Sequence, residues 1–218
     1  MIMQTPEDMG DPPPTGDGHY VYLMQFADGN RIDLSIVPVD DIGEVGEDSL
    51  TKVLVDKDGI VGSLPPPSEK SYLPTKPNAK AFDDCCNEFW WVSPYVAKGL
   101  WREELTYAKH VLDTYVRNQL MKMLSWYAGG RSNYEKSTGK AGKNLRFLIE
   151  PAFYEELKST YADAEFANIW DSLLAMGRLF RTTGRAVAAE HGFVYPERED
   201  AEVTAYLGRI QRSSNDRS

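Results

Sequence analysis

The spacing of apolar residues changes part-way along this chain, and that change predicts two differently built regions. From 20 to 26 and from 31 to 39, β-branched and aromatic residues dominate, and Asp28-Gly29 between the two runs suits a tight turn that needs positive φ. Together they predict a β-hairpin. Residues 51–55 predict a third short strand, closed by Asp56-Lys57-Asp58-Gly59. Residues 6–18 hold four prolines and three glycines among acids, which predicts a loop without regular hydrogen bonding and order starting at His19 or Tyr20. A proline-rich connector over 63–77 marks the expected domain boundary, because the apolar period beyond it moves from two to about 3.6.

Helices follow. Leu105, Ala108, Leu112, Tyr115, Val116, Met123 and Leu124 recur at three-and-four spacing opposite Lys109, Asp113, Arg117 and Lys122, which predicts an amphipathic helix of about 25 residues ended by Gly129-Gly130. Phe166, Ile169, Trp170, Leu173, Leu174, Gly177 and Phe180 form a second stripe, with Pro151 and Pro196 where helices start or stop. A further helix is predicted over 78–100, bent or broken before Pro94. The expected fold class is α+β, with a small sheet region over 1–77, a helical bundle over 78–212 and a disordered tail over 213–218.

Composition bounds the function classes. The chain has 218 residues, 42% hydrophobic and 11% aromatic, enough for one good core or two small ones and too much for a disordered protein. A formal charge of −9 disfavours a nucleic-acid partner, whose phosphates call for clustered Lys and Arg, and favours a cationic ligand. The two cysteines, Cys85 and Cys86, are adjacent, which excludes a disulfide scaffold and a zinc module and fits a reducing cytoplasm. With no run near the ~18 apolar residues of a membrane span and no signal-like start, a cytoplasmic protein without membrane contact is expected.

Some residues could carry chemistry. In Arg31-Ile32-Asp33-Leu34-Ser35-Ile36 the strand period puts the Asp33 carboxylate on the polar side of a half-buried sheet. It is either a solvent-facing partner of Arg31 or a functional acid. Asp56-Lys57-Asp58 has the form of a strand-ending turn rather than a metal pair. The stretch 136–143 fails the P-loop pattern and reads as an interhelical connector. Glu88 and Asp171 lie in strongly apolar stretches, where an acid faces a cleft or meets a base such as Arg102 or Arg178. The aromatic rings around them, Trp90, Trp91, Trp101 and Trp170, are core or ligand wall. Arg185 and His191 resemble the Arg-x(4–6)-His signature of HEPN ribonucleases, although the polar residue after the arginine is lacking.

The segment Asp83-Asp84-Cys85-Cys86-Asn87-Glu88-Phe89-Trp90-Trp91-Val92-Ser93-Pro94-Tyr95-Val96-Ala97-Lys98-Gly99-Leu100 closely resembles a hallmark of the aminoglycoside 6-adenylyltransferases, also called streptomycin adenylyltransferases. The likeness continues through Gln4-Thr5-Pro6-Glu7-Asp8-Met9, Asn168-Ile169-Trp170-Asp171, Leu179-Phe180-Arg181 and Val194-Tyr195-Pro196-Glu197. It implies the end of a mixed-sheet nucleotidyltransferase domain before a C-terminal helical bundle. The implied reaction moves AMP from ATP, with Mg²⁺, to an aminoglycoside hydroxyl, conferring antibiotic resistance. Asp33 would be the third carboxylate, acting as base and metal neighbour. Lys143, in its Gly-Lys-Asn setting, would contact ATP phosphates. Glu88, Trp101 and Asp171 would contact the antibiotic. The family places a Gly-Ser and Asp-x-Asp metal motif ahead of the position of Gln4, so catalysis by the chain as given is expected to be absent or very weak, with a non-catalytic aminoglycoside- or partner-binding role as the alternative. An exposed sheet edge, and self-association through it, are expected as well.

Overall fold

In the computed structural model, residues 1–10 and 18–215 are described. The chain divides into two compact units, Met1–Ser71 and Tyr72–Ser218, and the division falls within the proline-rich connector. Residues 11–17 of the expected loop and 216–218 of the expected tail lie outside the described residues.

The first unit is built on a three-stranded antiparallel sheet, β1 (Ile2–Gln4), β2 (Tyr20–Gln25) and β3 (Arg31–Ile36), in the order β1-β2-β3. Its β2–β3 hairpin closes as the sequence predicts. Gly29 takes φ 87°, the Phe26 N–H donates to Asn30 O at 2.8 Å, and the Asn30 N–H donates to Asp28 Oδ1 at 3.0 Å. In the register Met24 opposes Ile32, Leu23 opposes Asp33 and Tyr22 opposes Leu34.

Three expectations for this unit need correction. β1 precedes the point where order was expected to begin, and Glu7–Met9 forms a single 3-10 turn inside the predicted loop. Residues 51–55 form no strand, and Leu54 is 85% exposed. β-branched residues there have no strand to pair with. Around them Ser49 instead gathers contacts from Ser68 and Ser71. The three strands pair antiparallel throughout, consistent with the expected α+β class. Finally, every β3 residue is exposed, including Ile32, Leu34 and Ile36, so the strand has no half-buried face.

The second unit is a helical bundle: α1 (Ala79–Trp101), α2 (Leu105–His110), α3 (Arg117–Arg131), α4 (Pro151–Ser159), α5 (Phe166–His191) and α6 (Glu197–Asn215). Asn78 caps α1, its side chain accepting the Ala81 N–H at 2.8 Å, a contribution of about 1 kcal/mol. Phe82, Cys85, Cys86, Phe89, Ser93, Val96 and Leu100 are buried at helical spacing along α1. The helix runs unbroken through Pro94, correcting the expected break: core packing on both sides of the proline outweighs the one lost hydrogen bond.

α2 and α3 are one helix interrupted by a π-helical segment, Val111–Val116. Just past it Arg117, 8% exposed, donates to Thr160 Oγ1 at 2.9 Å, Thr160 O at 2.7 Å and Asp113 Oδ1 at 2.9 Å, and its guanidinium covers the Tyr161 ring at 3.9 Å. Gly99 lets the chain double back, since a Cβ there would sit 3.0 Å from the Tyr107 ring and 3.1 Å from Ala108 Cβ. At the centre of the core Phe89 stacks on Phe180 at 3.8 Å, and Trp90 meets both rings edge-on.

α6 is fastened to α5 by a buried acid. Asp200, 2% exposed, accepts both arms of Arg181 at 2.6 and 2.5 Å, the Tyr195 hydroxyl at 2.9 Å and the Thr204 hydroxyl at 3.0 Å. All its bonds are charge-assisted, which satisfies a carboxylate that could not otherwise be buried.

Candidate functional site

In the first unit, Asp33 projects from β3 into solvent. Arg31 on the same strand grips it with two bonds, Nε to Oδ1 at 2.8 Å and a terminal nitrogen to Oδ2 at 3.1 Å. Residues two apart on a strand share a face, so this pairing follows from the period alone. The pair raises the Arg31 pKa further above its ordinary value through the Asp33 hydrogen bond. A divalent ion of the magnesium kind wants about six oxygen ligands. Among the described residues no group of three His, Cys, Asp or Glu side chains is arranged to hold a metal. Asp33, a single carboxylate already matched to a guanidinium, does not make such a site by itself. Asp56 is engaged in its turn, accepting the N–H groups of Ile60, Val61 and Gly62 at 3.1 to 3.3 Å.

The other sequence-predicted residues belong to the second unit and are spread over it. Glu88 is half-buried on α1, Trp101 half-buried at its end, and Asp171 exposed on α5. Arg178, named as a partner for such acids, binds Glu156 at 3.1 Å. Lys143 is exposed on an ordered loop. There the Asn144 N–H donates to Thr138 O, its side-chain amide to Ser137 O, and the Gly139 N–H to Ser137 Oγ. Gly139, Ala141 and Gly142 all take positive φ, at 72°, 55° and 76°. Ala141 is the strained member, and strain of this kind collects in loops that position a group.

The pair expected of a HEPN nuclease is not assembled. Arg185 is clasped in two bonds by Glu197, and His191 Nε2 meets the Tyr134 hydroxyl at 2.8 Å. The adjacent cysteines are free and buried. Burial pushes the Cys85 thiol up to about 12 and the Cys86 thiol higher than its ordinary value, so neither is a nucleophile near neutral pH.

What sequence reasoning missed is a groove between α1 and α6, with a cavity of about 760 Å³. From α1 it is lined by Asp83, Asn87, Trp90, Trp91 and Tyr95, and from α6 by Glu199, Glu202 and Tyr206. Residues 199, 202 and 206 recur at three-and-four spacing, a signal that a pattern search on the last helix could have found. The Trp91 ring is 64% exposed and meets Tyr95 edge-on at 6.5 Å. The Trp90 indole N–H is buried and closes no hydrogen bond among the described residues. It still lies near enough to the Tyr195 hydroxyl to offset part of that phenol's upward shift, which burial and then Asp200 cause.

A small antiparallel sheet followed by a helical bundle is consistent with an α+β nucleotidyltransferase-like fold, and comparison with known proteins gives the class. Residues 1–210 match the family model described as streptomycin adenylyltransferase. The chain is 36% identical to the aminoglycoside 6-adenylyltransferase of Bacillus subtilis over 212 residues, covering 96% of this chain and 74% of that protein. It is 36% identical to the Campylobacter jejuni enzyme of the same name, covering 97% and 73%, and 34% identical to the Staphylococcus aureus one, covering 91% and 71%. The crystal structure of the B. subtilis enzyme superposes with a TM-score of 0.60 at 36% identity, over 97% of this chain and 78% of that one. The chain belongs to the streptomycin adenylyltransferase family, a class of nucleotidyltransferase enzymes. The ribonuclease alternative is set aside by that membership.

Proposed function

We propose that this protein transfers the AMP group of ATP to a hydroxyl of an aminoglycoside such as streptomycin, releasing pyrophosphate and so inactivating the antibiotic. The observation that carries this reading is the family match, which runs through both units from residue 1 to residue 210. The net charge of −9 suits a polycationic acceptor. Asp33 is the proposed base, taking the proton of the attacking hydroxyl, and the two-armed grip of Arg31 fixes where its oxygens lie. Lys143, exposed on its ordered loop, is proposed as a point charge for the phosphates. Glu88, Asp171 and Trp101 are proposed antibiotic contacts on the helical unit. No step is assigned to a metal, since the described residues do not supply its ligands.

The test pairs calorimetry with streptomycin and an assay of label transfer from α-labelled ATP. Saturable binding and antibiotic-dependent pyrophosphate release are expected, the rate being low because Asp33 is a single carboxylate. Asp33→Asn should lower that rate by at least about a hundredfold, the usual worth of a positioned base, with antibiotic affinity unchanged. Binding without transfer would favour a capture role. An absence of both across a panel of aminoglycosides overturns the reading.

A further inference from the structure

We propose that the groove between α1 and α6 seats the cationic end of the antibiotic, a guanidinium or ammonium group on a small sugar-derived ring system. This rests on the aminoglycoside reading above and assigns it a place that none of Glu88, Trp101 or Asp171 lines. The cavity of about 760 Å³ falls within the roughly 300–1,000 Å³ that drug-sized ligands occupy.

Its walls are matched to such a ligand. Asp83 on one side and Glu199 and Glu202 on the other face it with three carboxylates, against the single lysine Lys98 in the lining. Lys98 itself is drawn over the Tyr95 ring, at 5.5 Å from the centroid, showing that the aromatic wall holds a cation. Asp83 makes no ion pair among the described residues, and Glu199 and Glu202 share Arg198 at 3.2 and 4.0 Å, whose side chain is 80% exposed. A pair so open to water is weak, and a ligand cation can displace it.

One aromatic observation points to an occupant independently of the acids. Trp91 leaves a large ring in solvent at the groove, where a flat cation or the apolar face of a sugar can cover it. Trp90, 3% exposed, forms the floor of the groove, its indole N–H turned toward the Tyr195 hydroxyl without closing a hydrogen bond among the described residues.

The experiment is a tryptophan-fluorescence titration with streptomycin at fixed ionic strength. Glu199→Gln and Glu202→Gln should each weaken the dissociation constant about tenfold, as expected for one charge-assisted hydrogen bond. Trp91→Ala should reduce both affinity and signal, and Arg198→Ala should tighten binding about twofold. Asp83→Asn tests the same groove from α1 should an α6 variant melt early by circular dichroism. Glu47→Gln, an exposed acid of the first unit, should change nothing. Wild-type affinity in both the Glu199→Gln/Glu202→Gln and Asp83→Asn proteins overturns the groove assignment, as does a wild-type chain that does not bind. If antibiotic-dependent pyrophosphate release persists at unchanged KM in the double variant, the groove fails alone and the adenylyl-transfer reading stands.

Discussion

Arg181→Ala isolates the fastening of α6. The substitution removes both bonds to the Asp200 carboxylate and leaves that group, 2% exposed, with two hydroxyl donors, Tyr195 and Thr204. Stripping one partner from a buried ion pair costs about 3–5 kcal/mol. Arg181 is itself 24% exposed in its side chain, and the surviving hydroxyls retain part of the satisfaction, which brings the expectation to about 2–3 kcal/mol. For a unit of about 150 residues, with an unfolding entropy of about 2.1 cal/mol/K per residue, that is a fall of roughly 6–10 °C in Tm. Circular dichroism at a helix band follows it. A second variant separates charge from packing: Arg181→Met with Asp200→Leu removes both members, and at least half of the lost stability should return. Streptomycin affinity should fall in Arg181→Ala as well, because Glu199 and Glu202 ride on the same turns of α6. A melting temperature within about 2 °C of wild type would refute the claim that this pair holds the helix. So would a double variant less stable than the single one.

Alkali should unfold the protein through groups whose protons the fold retains. Burial raises the thiols of Cys85, to about 12, and Cys86, and the phenols of Tyr134, to about 12, and Tyr195. Raised folded values mean stability that is whole below the unfolded values near 9 and 10 and is lost as pH climbs toward 12, at up to about 1.4 kcal/mol per pH unit for each group; urea titrations from pH 8 to 11 read the slope, and Cys85→Ala should flatten it. β3 leaves its outer edge without a strand partner among the described residues and exposes Ile32, Leu34 and Ile36, so a second copy is expected to add to it. Sedimentation should then show concentration-dependent association, weakened by Ile32→Lys, and a monodisperse monomer would count against it.

Local rules made much of the fold legible. The Asp28-Gly29 turn, the stripe of α5 and the Pro151 start of α4 each depend on residues within a few positions of one another. Failures came where an outcome is decided at a distance. Residues 51–55 have strand propensity and no neighbour to pair with. β1 is three residues long and exists because β2 offers an edge. The π-helical turn at Val111–Val116 is invisible in periodicity that fits α2 and α3 almost as well, and Pro94 is tolerated because α1 is packed along its length. For the candidate site, the family likeness was readable from the hallmark segment, whereas the groove was not: Asp83, Asn87 and Trp91 become a wall only once α6 lies across α1.

The acids of α6 show why the groove is more than a consequence of helix capping. Glu197, Glu199 and Asp200 occupy its first turn, and such enrichment is expected from the helix dipole alone, wherever the residues point. A dipole explanation is indifferent to direction. In the fold the acids are not treated alike. Glu197 is gripped in two bonds by Arg185, and Asp200 by Arg181, so both carboxylates on the α5 side are neutralised by guanidinium groups of that helix. On the α1 side Glu199 and Glu202 have the exposed Arg198, carried by their own helix, while α1 adds Asp83, Lys98 and three aromatic rings. Negative charge is therefore matched by guanidinium groups on the α5 side and left to solvent and Arg198 on the side that lines the groove. Packing and capping account for the first half of that asymmetry. The second half is the arrangement that the proposed cationic ligand would meet.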